Sequence, residues 1–393
     1  MVECMWLFYR VRAAKCLVAI PHDEGVLIYN FLTQRATICS KEIFGWISYL
    51  REWKSVGDVL SQWTADEADH IESQLRAMTK STLLMLEGSK EQLLEQEYLN
   101  HWEWGPAAGF LHFSLMNNSF LTPDEGRLKQ LERAKVDPSP SLCVTHGHGA
   151  LNLPSPGNSS IAEVLKLMRN RRTNRVRGER SISLMALADC LYAGMAVTGV
   201  VKTETGFLPL QMTPSGGARN TFEAFVIVHD VKDLPRGVYH YSATQHSLAS
   251  VSGEVPENIG DLLAGQEWAN EKPATIILVG FFERLMWKYQ DSNSYRVALI
   301  EAGHKGQNIA LSATAHELSA CPTAALHHET VARYLKLDSI THSPIYAMTL
   351  SKPGAYDFDI MPVTPPPICE QPDSISNSGT SLSLRSTSSQ MAR

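Results

Sequence analysis

YRVALIEAGHKGQNIALSATAHEL, residues 295–318, sets the reading of the whole chain. It holds no proline and carries small and apolar residues around much of its circumference, which predicts a long helix buried against other elements. Upstream, ATIILVGFF at 274–282 is the most apolar run of the sequence. It falls far short of the roughly 20 residues that span a bilayer, so it reads as a buried strand. Before it, a strand over 224–229 leads to the turn Pro235-Arg236-Gly237 and then VYHY, the first strand of a hairpin. A helix over 184–197 precedes these, and Ser160-x-x-Glu163, set beside Ile161, Val164, Leu165 and Met168, is a capping box that starts a helix near Ile161. Downstream, 320–325 reads as a loop, 329–337 as a short helix, and a last strand ends at Ser351-Lys352-Pro353. Helices and strands alternate irregularly, which is an α+β pattern.

Six of the eight tryptophans precede residue 105, among short β-like runs (CLVAI, GVLIYNF) and a helical stretch with Ile71, Leu75 and Met78 on one face. Residues 1–125 therefore read as a small N-terminal α+β domain, 126–159, rich in Pro, Gly, Ser and Asn, as a linker, 160–355 as the main domain, and 356–393 as a tail. The tail holds eight serines in its last twenty residues and is expected to be disordered. The 393 residues suggest two to three domains at about 150 residues each. With 44% apolar and 19% charged residues the chain can bury a sizeable core. A net charge of 35 − 41 = −6 offers no basic footprint for nucleic acid and no polybasic membrane patch. Seven scattered cysteines without a C-x-x-C pair fit reduced thiols in a cytoplasmic protein, and the first twenty residues, broken by Arg10, Arg12 and Lys15, do not read as a signal peptide. His146-Gly-His148 has no acidic or Cys partner at ligand spacing, so no metal site is expected.

Five constellations carry chemistry. Residues 171–175 (RRTNR) put three guanidiniums and a hydroxyl at a helix end, either a cradle for phosphate oxygens or a solvated basic end that complements the helix dipole. Residues 214–219 (PSGGAR) place two glycines before a strand, either to let backbone N–H groups approach a ligand or as an ordinary strand-entry loop. Lys288-Tyr289 follows the buried strand; at the edge of an apolar pocket it suits a base and acid pair, and otherwise it is surface. Glu301, His304 and Gln307 recur at i, i+3 on the long helix as a polar network or an exposed stripe. The fifth constellation is the 320–325 loop, ACPTAA.

In order, R-R-T-x-R, P-S-G-G-A-R, G-V-Y-H-Y with His246-Ser-Leu248, K-Y, Y-R-x-A-L-I-E-A-G-H-x-x-Q-N, C-P-T and Ser351-Lys352-Pro353 resemble the SagB/McbC-type dehydrogenases of the FMN-dependent nitroreductase superfamily over residues 160–353. Trp102-Glu-Trp104-Gly-Pro and Phe110-Leu-His112-Phe are similar to that branch's extra N-terminal domain. The resemblance implies a nitroreductase-like fold, a central mainly antiparallel sheet flanked by helices, preceded by the small α+β domain, winged-helix-like and peptide- or partner-binding. It implies FMN as cofactor, with Arg171, Arg172, Thr173 and Arg175 on its phosphate and ribityl chain and Lys352 near the phosphate. It also implies Pro214, Ser215, Gly216 and Gly217 against the flavin from the other subunit of a homodimer, and Pro322, Thr323, Ala324 and Ala325 near flavin N5. Ala324 and Ala325 depart from the family's glycines, which makes for a tighter loop there. Lys288 and Tyr289 match the catalytic pair of the azoline dehydrogenases. The implied activity is oxidation of thiazoline or oxazoline rings in a ribosomal peptide or related natural product, with dioxygen the usual electron acceptor and a cyclodehydratase as partner. The alternatives are an NAD(P)H-dependent nitro or quinone reductase of the same superfamily and a scaffold subunit that docks a cyclodehydratase.

Overall fold

The structure, a computed structural model, describes residues 6–116, 121–136, 161–176, 178, 181–203, 206–270, 272–338 and 340–355. The chain opens with β1 (Arg10–Ala13), β2 (Leu17–His22), β3 (Gly25–Asn30) and β4 (Arg35–Cys39), followed by α1 (Ile43–Tyr49), β5 (Lys54–Ser55), α2 (Val56–Leu60), α3 (Ala65–Lys80) and β6 (Leu84–Leu86). Two helices, α4 (Lys90–His101) and α5 (Gly105–Leu115), complete this part. Strands β2, β3 and β4 form an antiparallel meander, while β5, β1 and β6 make a second small sheet. The helix α3 begins at a capping box of Thr64 and Glu67 and buries Ile71, Leu75 and Met78, the face its spacing predicts.

Residues 1–122 and 170–357 form one compact unit; 123–169 with 358–393 form a second. The second contains α6 (Pro123–Val136) and α7 (Ala162–Asn170) as far as Arg169. Thus helix occupies 126–136, which the sequence reading places in the linker, because Asp124 and Glu125 open this segment and Arg133 and Lys135 close it, charges that match the helix dipole. His146-Gly-His148, Ser160 of the capping box and the serine-rich tail lie outside the described residues.

The first unit continues with β7 (Ile182–Ser183), α8 (Leu184–Met195), β8 (Val197–Thr203), β9 (Gly206–Gln211), β10 (Phe222–Val228), β11 (Val231–Lys232), β12 (Gly237–Ser242) and β13 (Ser247–Ser252). It ends with α9 (Ile259–Leu262), β14 (Ala274–Phe281), α10 (Glu283–Met286), α11 (Asn293–Ala315), β15 (Ser319–Thr323), α12 (His328–Leu335) and β16 (His342–Ser351). Six strands build the central sheet in the order β13-β12-β10-β14-β16-β15, every neighbouring pair antiparallel. Alternate residues of β14 feed opposite faces: Ile276 and Leu278 join α8 and α11, whereas Ile277 and Val279 join α9 and α12. A strand with helices on both faces must be apolar throughout, which explains its unbroken hydrophobic run. No helix among the described residues is long and apolar enough to cross a membrane.

Two expectations change here. Residues 320–323, read as the start of the 320–325 loop, belong to the edge strand β15, because Cys321 and Pro322 pair with Thr349 and Met348 at a sheet edge, where proline is tolerated. The polar residues of the long helix divide between two faces. Glu301 is buried whereas His304 and Gln307 are exposed, since a spacing of three steps around the 3.6-residue turn off the core face.

The N-terminal part shares its core with the sheet domain. Trp102, Trp104, His112 and Phe113 pack into the cluster that contains Phe282 and Tyr295. A separate core around Val11, Ile28, Val59 and Leu75 holds the first sheets and α3.

Candidate active site

The basic segment after α7 is fixed by its one amide. Asn174, buried, donates its backbone N–H to Ser319 Oγ at 2.8 Å and its side-chain amide to the Gly354 carbonyl at 2.8 Å, while Cys321 Sγ donates to the Asn174 carbonyl at 2.9 Å. The buried ammonium of Lys272 donates to the Arg175 carbonyl at 3.1 Å and to Ser351 Oγ at 3.2 Å. These bonds lay residues 171–176 along the β15–β16 edge, beside Pro322 and the strand end before Lys352. The Arg175 guanidinium covers Trp268 at 5.4 Å. From the same segment as Trp268, Gln266 Nε2 donates to Thr323 Oγ1 at 2.8 Å and to the Ala325 carbonyl at 3.3 Å. The structure therefore gathers Arg171, Arg172, Thr173, Arg175, Pro322, Thr323, Ala324, Ala325 and Lys352 at one sheet edge. Burial raises the Tyr346 pKa, and the nearby Arg171 charge opposes that rise. Neither Arg171 nor Arg175 has a carboxylate partner among the described residues, so both guanidiniums are left to meet an anion.

A second cluster forms around the 214–219 loop. Ser215 Oγ donates to Glu301 Oε2 at 2.7 Å, and Thr221 gives Glu301 its backbone N–H at 2.9 Å and its hydroxyl at 3.1 Å. Lys305, one turn on in α11, lies 3.5 Å from Glu301 Oε1 and donates to Gln211. Both charges of this pair are fully buried. Burial lowers the Lys305 pKa, and the Glu301 carboxylate counters that fall. The held loop turns through left-handed backbone at Gly217, Ala218 and Asn220, with φ of 57°, 54° and 47°.

The tight turn brings Gly217 against the Lys288-Tyr289 pair. A Cβ at Gly217 would lie 2.6 Å from Lys288 Nζ and 2.8 Å from Tyr289 Oη. Lys288 itself is exposed, the surface alternative of the sequence reading and not the pocket edge, because residues 287–290 follow the end of α10 onto the surface. A tether from the N-terminal part holds this segment: Trp104 Nε1 donates to the Tyr289 carbonyl at 2.9 Å, and Ser292 Oγ donates to the Trp104 carbonyl.

Helix α11 joins the two clusters. Gly306 packs against Tyr346, whose ring feels Arg171, and the adjacent Lys305 belongs to the pair that holds Ser215. Sequence reasoning missed Asn174, the Glu301–Lys305 pair and the Trp104 tether. The i, i+4 acid–base spacing of Glu301 and Lys305 was the available signal for one of them.

The nitroreductase family profile matches residues 168–352. The trifolitoxin-processing protein TfxB of Rhizobium leguminosarum bv. trifolii is 30% identical over 169 residues, 41% of this chain and 44% of that protein. The Escherichia coli microcin synthetase McbBCD complex, solved with truncated pro-MccB17 bound, aligns at 20% identity and a TM-score of 0.46, over 67% of this chain and 93% of that one. MJ1384 of Methanocaldococcus jannaschii, which carries a nitroreductase name, is 30% identical over 191 residues, 48% of this chain and 89% of that protein. With a relative matched over nearly its whole length and a profile that covers both clusters, the chain belongs to the nitroreductase family.

Proposed function

We propose that this oxidoreductase is an FMN-dependent dehydrogenase of the SagB/McbC type that oxidises thiazoline or oxazoline rings in a peptide. The observation that carries the reading is the contact of Gly217 with Lys288 Nζ and Tyr289 Oη, which joins the proposed flavin-facing loop to an amine and a phenol suited to proton transfer. The residues present fit FMN, because two guanidiniums without carboxylate partners among the described residues flank a hydrogen-bonded segment at the β15–β16 edge. Arg171, Arg172, Thr173, Arg175 and Lys352 would hold the phosphate and ribityl chain, and residues 322–325 would line the ring. Bound FMN supplies the hydride acceptor. Aromatising an azoline removes one proton and one hydride from adjacent carbons. Lys288, as the free amine, takes the proton, and Tyr289 orients the ring through its hydroxyl. The Trp104 bond to the Tyr289 carbonyl keeps the pair against Gly217.

The working form is a homodimer in which the 214–217 loop of one copy completes the site at residues 171–175 of the other. Leu299 and Ile300 on α11, with Val200, Val201, Phe207 and Leu210 on the β8–β9 hairpin, expose the apolar surface such a dimer covers. Coverage by the second copy supplies the apolar surround that Lys288 lacks on a single chain. A cyclodehydratase that makes the azoline is the expected partner.

The test is mass spectrometry of a thiazoline peptide incubated with the yellow protein, where a loss of two hydrogens is expected. Arg171→Ala and Arg175→Ala should lower flavin content, each removing a charge-assisted contact worth about 1.5–3 kcal/mol. Full flavin occupancy in both variants, or no mass change, refutes the assignment. The exposure of Lys288 favours one second reading, an NAD(P)H-dependent reductase that needs no amine base. Rapid bleaching of the flavin by NAD(P)H would identify it.

A further inference from the structure

Beside the Lys288-Tyr289 pair lies an open cleft of about 490 Å³, lined by Val197, Pro209, Ala243, Arg219, Arg284 and Trp287. Its charges are accounted for with one exception. Arg284 pairs with Glu223, which also meets His240 at 2.9 Å, and Glu283 faces His342 at 3.3 Å. Arg219 makes no ion pair among the described residues: its guanidinium lies over the Trp287 indole at 4.8 Å, and its Nε is buried without a hydrogen-bond partner. A buried donor left unsatisfied is costly, so a ligand that accepts from this guanidinium is favoured. Stacking on Trp287 and the backbone bond from Arg219 N to the Gly216 carbonyl at 3.1 Å hold the fork ready for a planar, bidentate acceptor.

We infer that this cleft is a substrate subsite in which Arg219 receives a carboxylate of the peptide. The inference rests on the azoline-peptide reading and names a feature of its substrate. Arg219 is two residues beyond Gly217, a reach of at most about 7 Å along the backbone. An extended peptide advances about 3.3–3.6 Å per residue, so an acid up to about two residues from the ring stays within that reach. The apolar wall of Val197, Pro209 and Ala243 takes the methylenes of that side chain, and the Arg219 fork takes its oxygens.

The experiment uses the full flavin-loaded chain and follows Trp287 fluorescence during titration with two C-terminally amidated thiazole peptides that differ only in Asp or Asn two residues from the ring. The Asp peptide should bind about 10- to 100-fold more tightly, as expected for a charge-assisted bidentate contact. Arg219→Gln should abolish the preference, Arg219→Lys should restore part of it, and Trp287→Phe should remove the signal. Equal affinity for both peptides in the wild type, an unchanged preference in Arg219→Gln, or no binding of either peptide overturns the subsite. Inorganic phosphate that displaces the Asp peptide at comparable concentration would show a general anion site and overturn the carboxylate assignment. Thiazoline oxidation without any acid preference refutes the subsite alone, whereas an acid preference without thiazoline oxidation refutes the azoline reading and leaves the subsite standing.

Discussion

At Gly217 a missing side chain makes room for the Lys288 amine and the Tyr289 hydroxyl. With φ at +57° and Lys288 Nζ and Tyr289 Oη where a Cβ would stand, Gly217→Ala should cost about 1–2 kcal/mol in backbone strain and push the pair aside. Turnover should fall more than the melting temperature, which steady-state rates and thermal unfolding measure separately. On the proposed dehydrogenase reading, Lys288→Ala should keep flavin bound and cut turnover about 10²- to 10⁴-fold, the usual loss for a general base, while Tyr289→Phe tests the hydroxyl with ring packing intact. A different residue-scale effect comes from two buried histidines. Burial pushes the pKa of His112 down to about 3 and that of His328 down to about 4, from 6.5. The unfolded chain therefore binds more protons than the folded one below pH 6.5. Stability contributed by these groups is present above pH 6.5 and is lost as pH falls toward their folded values, at about 1.4 kcal/mol per pH unit per histidine. Urea unfolding between pH 7.5 and 5 should show this slope, reduced in His112→Phe.

Among the elements, α11 is the one on which the site depends. Its buried face carries Tyr295, Ala298, Glu301, Ala302, Lys305, Gly306 and Ile309, and its close approach to α8 is set by Gly194, where a Cβ would lie 2.6 Å from Ile309. Removal of one partner from a buried ion pair leaves the other charge uncompensated, so Glu301→Ala should destabilise the fold by about 3–5 kcal/mol and free the 214–219 loop. Chemical denaturation of the variant checks this, and Glu301→Gln, which keeps two of the acceptor positions, should be milder. The helix was legible from its length and lack of proline. Its polar residues were not, because spacing groups Glu301 with His304 as readily as with Lys305, and only the position of β16 and the loop decides which of them is buried.

For the molecule as a whole, the N-terminal part is structural support for the site. Trp102, Trp104 and Phe113 complete the core around Phe282 and Tyr295, so a chain begun at Asn170 should expose that cluster and fail to fold, and the intact first unit should unfold in one transition by circular dichroism. Trp104→Phe, which deletes the N–H bonded to the Tyr289 carbonyl and leaves a small cavity, should lower turnover beyond what its stability loss, roughly 1–3 kcal/mol, explains. Light scattering on Ile300→Glu should report a monomer if α11 lies in the dimer interface. The sequence by itself determined the α+β class, the buried strand β14, the long helix and the spacing of the motifs, because these follow from periodicity, turn residues and a continuous apolar run. Only the tertiary structure decided that residues 171–175 and 319–323 meet at one sheet edge, that Glu301 and Lys305 hold the glycine loop, and that a tryptophan 185 residues away holds Tyr289. These are contacts between distant segments, and local pattern carries no information about which distant segment fills a given space.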